Sequence, residues 1–138
     1  MSNIVIGDAD SLVALADKDD ANYKKARRIS EWLLSKRIQV IYPNTAILEA
    51  ITALSRAKNM HEKAKLTTKQ YLSGTFDIEY VNSEIQTKAA DIFEMKSKSK
   101  KNTIFDAIVA ATAKKYETNL IFSFDSWYSK LGFKLAGE

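Results

Sequence analysis

The chain has 138 residues, 46% of them hydrophobic and 28% charged, and its formal net charge of +4 favours an anionic partner only weakly. The absence of cysteine and the presence of a single histidine exclude disulfides, thiolate catalysis and cysteine-based or His-rich metal sites, so any metal is expected to be Mg²⁺ or Mn²⁺ held by oxygen. No apolar stretch approaches the roughly 20 residues of a membrane span, and the first residues lack signal-peptide features, so we expect one domain over residues 1–138, located in the cytoplasm.

Short apolar runs alternate with longer amphipathic segments, which is typical of strands separated by helices. In chain order, the pattern predicts a strand at 3–7, helices at 11–16 and 19–36, a strand at 38–42, helices from 44 or 45 to 58 and at 60–74, a strand at 77–81, helices at 83–98 and 103–116, a strand at 119–123, a helix at 126–132 and a strand at 133–135. This alternation predicts an α/β fold in which a parallel sheet of four or five strands is covered by helices on both faces.

Polar residues at the segment boundaries predict how several helices begin. Asp10 is expected to cap the first helix. Ser83 and Gln86 have the spacing of a capping box, and so do Thr103 and Asp106 at the start of a later helix.

Four acidic residues fall where a parallel sheet brings the ends of its strands together. Asp8 follows the first strand and Asp125 follows the fourth, while Glu49 and Asp106 lie in the opening turns of helices that start near the same edge. Ligands bind beyond the carboxyl ends of such strands. Four carboxylates in one cleft would repel one another, and one or two divalent cations would remove that conflict. Such a site suits hydrolysis at phosphate by a metal-activated water.

Each acid also has an ordinary structural explanation. Asp8 suits a turn between strand and helix, and Asp10 suits a helix N-cap. Glu49 falls just outside the apolar arc of its helix and, taken alone, is a solvated residue. Asp106 is explained as half of a capping box and Asp125 as the cap of the helix at 126–132.

The sequence resembles the PIN-domain nucleases, and among them the VapC-like toxins of toxin–antitoxin pairs. In "IVIGDADSLVAL", Asp8 matches the first acid of the family, and in "TAILEAITALSR", Glu49 matches the second. In "FDAIVAATA", Asp106 matches the third, and "LIFSFDSWYSKLG" supplies Ser123 and Asp125 for the fourth motif.

The resemblance runs from about residue 4 to residue 135, with two departures from the family pattern. Asp10 stands where Asn, Ser or Thr is more usual, and Ser123 stands where Thr is common. Both keep an oxygen in place, and Asp10 either joins the site or caps its helix. We therefore treat Ser123 and Asp10 as auxiliary residues, with Ser123 hydrogen-bonded to a ligating acid.

The resemblance implies a three-layer α/β/α fold and Mg²⁺- or Mn²⁺-dependent cleavage of RNA. It also implies a homodimer and an antitoxin protein whose tail covers the active site. By the same resemblance, four residues are expected to bind metal and to act in catalysis: Asp8, Glu49, Asp106 and Asp125.

The basic segment "KSKSKK", at 96–101, precedes the helix that carries Asp106. Lysines next to an acidic site are able to hold phosphates, which would make binding depend on salt. Lys98, Lys100 and Lys101 are therefore candidate RNA contacts. The alternative is a solvated helix end, where lysines are favourable in any case.

Other functions share parts of this pattern. "DADS" after a strand also resembles haloacid-dehalogenase-type phosphatases, but the region of Asp125 lacks the paired acids of that class. Receiver domains share the parallel sheet and the acidic pocket, but they need an acid after the third strand, and "DIEYVNSE" does not offer one there. A housekeeping RNA-processing PIN nuclease and a catalytically inactive PIN-like binding module stay open. The sequence does not reveal which RNA is cut, because a metal–acid site reads phosphate rather than bases.

Overall fold

The computed structural model of the chain describes residues 3–138. Within this range the elements, in chain order, are β1 (Ile4–Gly7), α1 (Ala9–Ala16), α2 (Tyr23–Ser35), β2 (Gln39–Pro43), α3 (Asn44–Arg56), α4 (His61–Ser73), β3 (Asp77–Glu79), α5 (Ser83–Lys96), α6 (Ile104–Lys115), β4 (Leu120–Phe122), α7 (Trp127–Lys130) and β5 (Lys134–Leu135). Of the helices in residues 3–138, none combines the length and the apolarity that a membrane crossing requires.

The five strands form one sheet in the order β3-β2-β1-β4-β5, and every neighbouring pair is parallel. The central strand β1 pairs with β2 through Val5 and Val40, and with β4 through Ile6 and Ile121. These strands are apolar without alternation because both faces of the sheet are covered. The predicted parallel α/β fold is confirmed.

Alternate residues of β1 point into two different helical layers. Val5 packs against the buried face of α2, which consists of Ala26, Ile29 and Leu33. Ile6 lies on the other face, in a cluster with α5, α6 and α7. The two layers enclose the sheet, which gives the three-layer α/β/α arrangement.

The caps of α1 and α5 and the start of α2 differ from the prediction because side chains find partners that the local pattern does not reveal. α1 begins at Ala9, and its N-cap is Asp8, whose carboxylate accepts from the Ala9 N–H, so Asp10 is not the cap. α5 is capped by Asn82, one residue before the expected Ser83, through the Ile85 N–H at 2.9 Å.

The start of α2 is also later than predicted, at Tyr23 rather than at Asp19. The carboxylate of Asp17 accepts from the Asp19 N–H at 3.0 Å, and that of Asp20 accepts from the Asn22 N–H at 2.8 Å. Such local side-chain bonds compete with the helix and hold this segment in turns.

At the end of β3, a tyrosine and a lysine bind a carboxylate that does not line the acidic cleft described below. The Tyr116 hydroxyl donates to Glu79, and the Lys115 ammonium lies 3.0 Å from the same carboxylate oxygen. Burial alone would raise the pKa of Glu79, but these two donors and the lysine charge outweigh it and hold that pKa below its usual value.

Gly7 ends β1 at a point where only a hydrogen fits. A Cβ at this position would overlap the aromatic ring of Tyr42, which lies in the neighbouring strand β2. Tyr42 is fixed there, since its hydroxyl lies 3.1 Å from the Ser11 hydroxyl, which in turn donates to the Asp8 carbonyl at 2.8 Å. The ring therefore supports the turn that carries Asp8.

We expect Gly7→Ala to destabilise the protein by about 1–3 kcal/mol, because the added methyl forces the buried ring of Tyr42 out of position. Urea denaturation followed by circular dichroism measures the loss. Tyr42→Leu is the matched variant, and the double variant should lose less stability than the sum of the two single changes. Wild-type stability in Gly7→Ala, or strict additivity, would contradict this packing.

Candidate active site

The acidic residues meet where the chain changes direction across the sheet. From β1 the chain continues through β2 to β3 on one side, and it then returns to place β4 on the other side of β1. The crevice at such a switch point is the usual ligand site of an open α/β sheet. The Asp8 N–H donates to the Phe122 carbonyl at 3.1 Å, which ties the ends of β1 and β4 together.

Asp8 is buried, with 5% of its surface exposed, and both of its carboxylate oxygens are engaged. Oδ1 accepts from the Ala9 N–H at 2.7 Å. Oδ2 accepts from the Tyr128 hydroxyl at 2.7 Å and lies 3.4 Å from the Ser123 hydroxyl. The carboxylate is therefore held from α1 and from α7.

Asp10 reaches across the site instead of capping its own helix. Its Oδ2 accepts from the Ser123 hydroxyl at 2.8 Å and from the Phe124 N–H at 2.9 Å. The Asp125 N–H donates to the Ser123 oxygen at 3.1 Å. A hydroxyl carries one proton, and the shorter contact assigns that of Ser123 to Asp10 rather than to Asp8. Ser123 thus links the loop after β4 to α1.

Asp106 forms the capping box predicted for α6. Its Oδ2 accepts from the Thr103 N–H at 3.0 Å, and the Thr103 hydroxyl accepts from the Asp106 N–H at 3.3 Å. Asp125 likewise serves the backbone, because its Oδ1 accepts from the Trp127 N–H at 2.9 Å. Each of these interactions uses one carboxylate oxygen, and both residues still line the same cleft as Asp8.

Glu49 is not the solvated helix residue that its position in α3 suggests when it is taken alone. Its Oε1 is buried and accepts no hydrogen bond from any group in residues 3–138. Oδ1 of Asp10 is likewise buried and accepts no hydrogen bond from these residues. Two carboxylate oxygens without a donor are therefore present in this crevice.

The cleft has a volume of about 430 Å³. Its lining includes all five acids singled out in the sequence and one of the three lysines, Lys101, whereas Lys98 and Lys100 are exposed on the preceding loop. The complete lining is Asp8, Ala9, Asp10, Val13, Asp20, Asn22, Glu49, Ala53, Lys101, Thr103, Asp106 and Asp125.

Sequence reasoning missed three polar residues of this site. Asp20 and Asn22 border the cleft from the turns before α2, a segment expected to be helical. In the sequence, Tyr128 looks like an ordinary packing residue of the last helix, yet its hydroxyl binds Asp8. No local pattern distinguishes a tyrosine that packs from one that also donates to a distant carboxylate.

The sequence matches the PIN domain family over residues 5–134. The chain belongs to the PIN domain family. This membership supports a nuclease, and it decides against the haloacid dehalogenase alternative. The strand order also differs from the 2-1-3-4-5 order of receiver domains.

Two solved structures resemble this PIN domain in fold. VapC20 from Mycobacterium tuberculosis, described as a toxin that cleaves the sarcin–ricin loop, is 24% identical, with a TM-score of 0.80 over 94% of this chain and 96% of that one. FitAcB from Neisseria gonorrhoeae is 13% identical, with a TM-score of 0.59 over 95% of each chain. No curated protein matches the sequence significantly.

The electrostatics of this PIN domain disfavour a full set of negative charges. Burial, followed by the charge of Asp10, raises the pKa of Asp8 well above its usual value. Burial and the charge of Asp125 also raise the pKa values of Asp10 and Asp106. Burial, Asp106 and Asp10 together raise the pKa of Glu49 to about 7. A cation in the cleft would offset this repulsion.

The donor set of the PIN site fits a hydrated divalent cation. In residues 3–138, no three His, Asp or Glu side chains converge closely enough to enclose an ion alone. Mg²⁺ needs no such cage, because it keeps several waters and binds through one or two carboxylates. The unpartnered oxygens of Asp10 and Glu49 are anionic ligand atoms of the type that Mg²⁺ and Mn²⁺ prefer.

In metal-free protein, we expect Glu49→Gln to raise the melting temperature at pH 8 and to leave it unchanged at pH 4. A carboxyl group whose pKa is raised in the fold stabilises the fold fully below its unfolded value, 4.5, and that stability is lost as the pH rises through about 7. The uncharged glutamine avoids the loss. The gain should be about 2–4 °C, because the side chain is partly hydrated and the effect is screened.

Thermal unfolding in EDTA at both pH values measures this difference. Glu94→Gln, at an exposed position of α5, is the control and should change little at either pH. An equal gain for Glu49→Gln at pH 4 and pH 8 would show that the carboxyl group of Glu49 is not under charge repulsion.

Proposed function

We propose that this PIN domain is a metal-dependent endoribonuclease that hydrolyses RNA phosphodiester bonds with Mg²⁺ or Mn²⁺. The observation that carries the proposal is the pair of buried, unpartnered carboxylate oxygens of Asp10 and Glu49, in a cleft lined by six acids. Such an arrangement is costly unless a cation binds there.

In this proposal Asp8, Glu49, Asp106 and Asp125 hold the metal directly or through water, and the unpartnered Oδ1 of Asp10 is able to join them as an auxiliary ligand. When bound, the ion would lower the pKa of water and stabilise the charge that develops on phosphate. Glu49 Oε1, which accepts no hydrogen bond from residues 3–138, is able to accept one from the attacking water. The Ser123 hydroxyl holds Asp10 in its orientation.

The lysines of the loop between α5 and α6 would hold the RNA backbone. Lys101 borders the acidic cleft, and the exposed Lys98 and Lys100 extend the same basic segment. A phosphodiester approaching a cluster of carboxylates needs positive charge nearby. These lysines and the metal would supply it, and the resulting affinity would not depend on base sequence.

We further propose that the protein is the toxin of a type II toxin–antitoxin pair, acting in the cytoplasm as a homodimer with a cognate antitoxin. The fold likeness to VapC20, a toxin that cleaves the sarcin–ricin loop, supports this. Three exposed apolar side chains near the cleft would suit a protein partner: Leu48, Ile104 and Phe105. A housekeeping RNA-processing enzyme and an inactive binding module are the alternatives.

Asp106→Asn should reduce metal-dependent cleavage of RNA by at least about 100-fold. The amide oxygen of asparagine still accepts from the Thr103 N–H, so the capping box and the fold persist while the negative charge is lost. The measurement is cleavage of structured RNA by the purified chain with Mg²⁺, with Mn²⁺ and with EDTA. Asp91→Asn, at an exposed position of α5, is the control with the same chemical change.

Cleavage that requires metal and vanishes only in Asp106→Asn supports the proposal. Metal-independent cleavage would contradict it, and so would equal activity in the two variants. An inactive wild-type protein that nevertheless binds RNA would favour the binding module.

Replacing Lys98, Lys100 and Lys101 by glutamine should weaken RNA binding and make it less dependent on salt. Each lost phosphate contact reduces the slope of log K against log salt by about 0.7 for single-stranded RNA. Fluorescence anisotropy with Asp106→Asn protein, which should bind without cutting, measures that slope. Replacement of three exposed lysines of α4 and α5, Lys65, Lys69 and Lys88, changes the net charge equally and is the control. Equal salt slopes in the two triple variants would show that the loop lysines do not contact the RNA.

A further inference from the structure

Tyr128 is a buried tyrosine whose hydroxyl points at the acidic site. It lies in α7, exposes none of its surface, and packs in the apolar cluster that joins Ile6 of β1 to α6. Its ring also rests against that of Trp127, with the centroids 5.9 Å apart. Apolar contacts alone would be met equally well by phenylalanine, so packing does not account for the hydroxyl.

The hydroxyl of Tyr128 donates to Asp8 Oδ2 at 2.7 Å, within the buried interior. Burial and the charges of Asp8 and Asp106 hold the pKa of Tyr128 well above its usual value, so the group keeps its proton and acts as a donor. A hydrogen bond from a neutral donor to a carboxylate is among the stronger ones in proteins.

No other side chain in residues 3–138 binds Asp8 as closely. Ser123 lies 3.4 Å from the same oxygen, which is long for an O–H···O bond, and its proton serves Asp10 at 2.8 Å. The remaining donor, the Ala9 N–H, binds Oδ1. One donor on each oxygen fixes the rotation of the carboxylate.

A carboxylate offers about four lone-pair sites, and the two donors occupy one on each oxygen. The carboxylate of Asp8 borders the cleft, so its remaining lone pairs are available to a ligand there. The Tyr128 hydroxyl therefore determines how those lone pairs are oriented.

We propose that Tyr128 is a positioning residue whose hydroxyl holds Asp8 in the orientation in which the carboxylate meets a divalent cation in the cleft. This inference rests on the proposed metal-dependent function. Tyr128 touches neither substrate nor metal in this role, and it acts chiefly through Asp8, which it binds at 2.7 Å, and also through Asp106, which its hydroxyl faces. Its effect is therefore on metal affinity, and it is measurable without RNA.

The test is Tyr128→Phe, which keeps the ring and its packing and removes only the hydroxyl. The dissociation constant for Mn²⁺, measured by electron paramagnetic resonance of the free ion in the absence of RNA, should rise about tenfold, as is usual when a ligand loses its supporting partner. The Mn²⁺ concentration that gives half-maximal RNA cleavage should rise by the same factor.

The chain offers a matched control in Tyr116→Phe. Tyr116 also donates its hydroxyl to a carboxylate, that of Glu79, but neither residue lines the acidic cleft. The control should lose thermal stability while its Mn²⁺ affinity stays within about twofold of the wild type. A merely structural role for Tyr128 would give the same result as this control. If Tyr128→Phe does not fold, 4-fluorophenylalanine at the same position fills the space of the hydroxyl without donating.

A weakened Mn²⁺ affinity in the residue 128 variant alone supports the positioning role. Wild-type affinity in that variant, while the wild-type protein binds Mn²⁺ and cleaves RNA, overturns the positioning role and leaves the proposed function intact. Absence of both Mn²⁺ binding and cleavage in the wild-type protein overturns the proposed function, and the positioning role with it.

Discussion

The Asp8 carboxylate lies at the end of the central strand, where burial and neighbouring acids both oppose its ionisation. Leaving such a group without donors would be costly, because a buried charge loses the hydration that stabilises it in water. The surrounding structure supplies those donors from two directions, the Ala9 N–H at the start of α1 and the Tyr128 hydroxyl of α7. The turn after β1 and the short helix α7 are both arranged around this requirement.

The register of the sheet makes that arrangement specific. Gly7 is paired with Phe122, so the residues that follow the two strands, Asp8 and Ser123, emerge side by side. A slip of one residue would turn every side chain of the strand to the opposite face, and Val5 and Ile6 would exchange their helical layers. The apolar pattern of the strands therefore determines the geometry of the polar site, although the apolar strand residues are not themselves part of that site.

The sequence was sufficient to predict the parallel α/β fold, because the alternation of strand and helix signals extends along the whole chain. It also predicted the Thr103–Asp106 capping box, which depends on residues three apart. It left open whether Asp10 caps its helix or joins the site, because the partners of that carboxylate are Ser123 and the Phe124 N–H, far along the chain. Local patterns contain no information about such contacts.

For a related reason, helical position alone neither places Glu49 at the site nor reveals the hydrogen bond of Tyr128, although the family resemblance does point to Glu49. The position of Glu49 on the α3 helix suggests solvent, but the surrounding walls of the cleft bury one of its oxygens. The position of Tyr128 suggests packing, and the packing is present, while the added hydrogen bond depends on where another strand ends. In both cases the helical pattern predicts which face of the helix is apolar. It does not predict the contacts that neighbouring elements make with the polar side chains of that helix.

The contact between Gly7 and the ring of Tyr42 also has an evolutionary consequence. The two positions compete for one volume at the base of the site, so neither is free to change alone. Among relatives that keep this backbone, glycine at the position of Gly7 should accompany an aromatic residue at the position of Tyr42. A larger residue at the position of Gly7 should accompany a smaller one at the position of Tyr42. The conformation of the turn that carries Asp8 would then depend on both residues, and the two positions would change together.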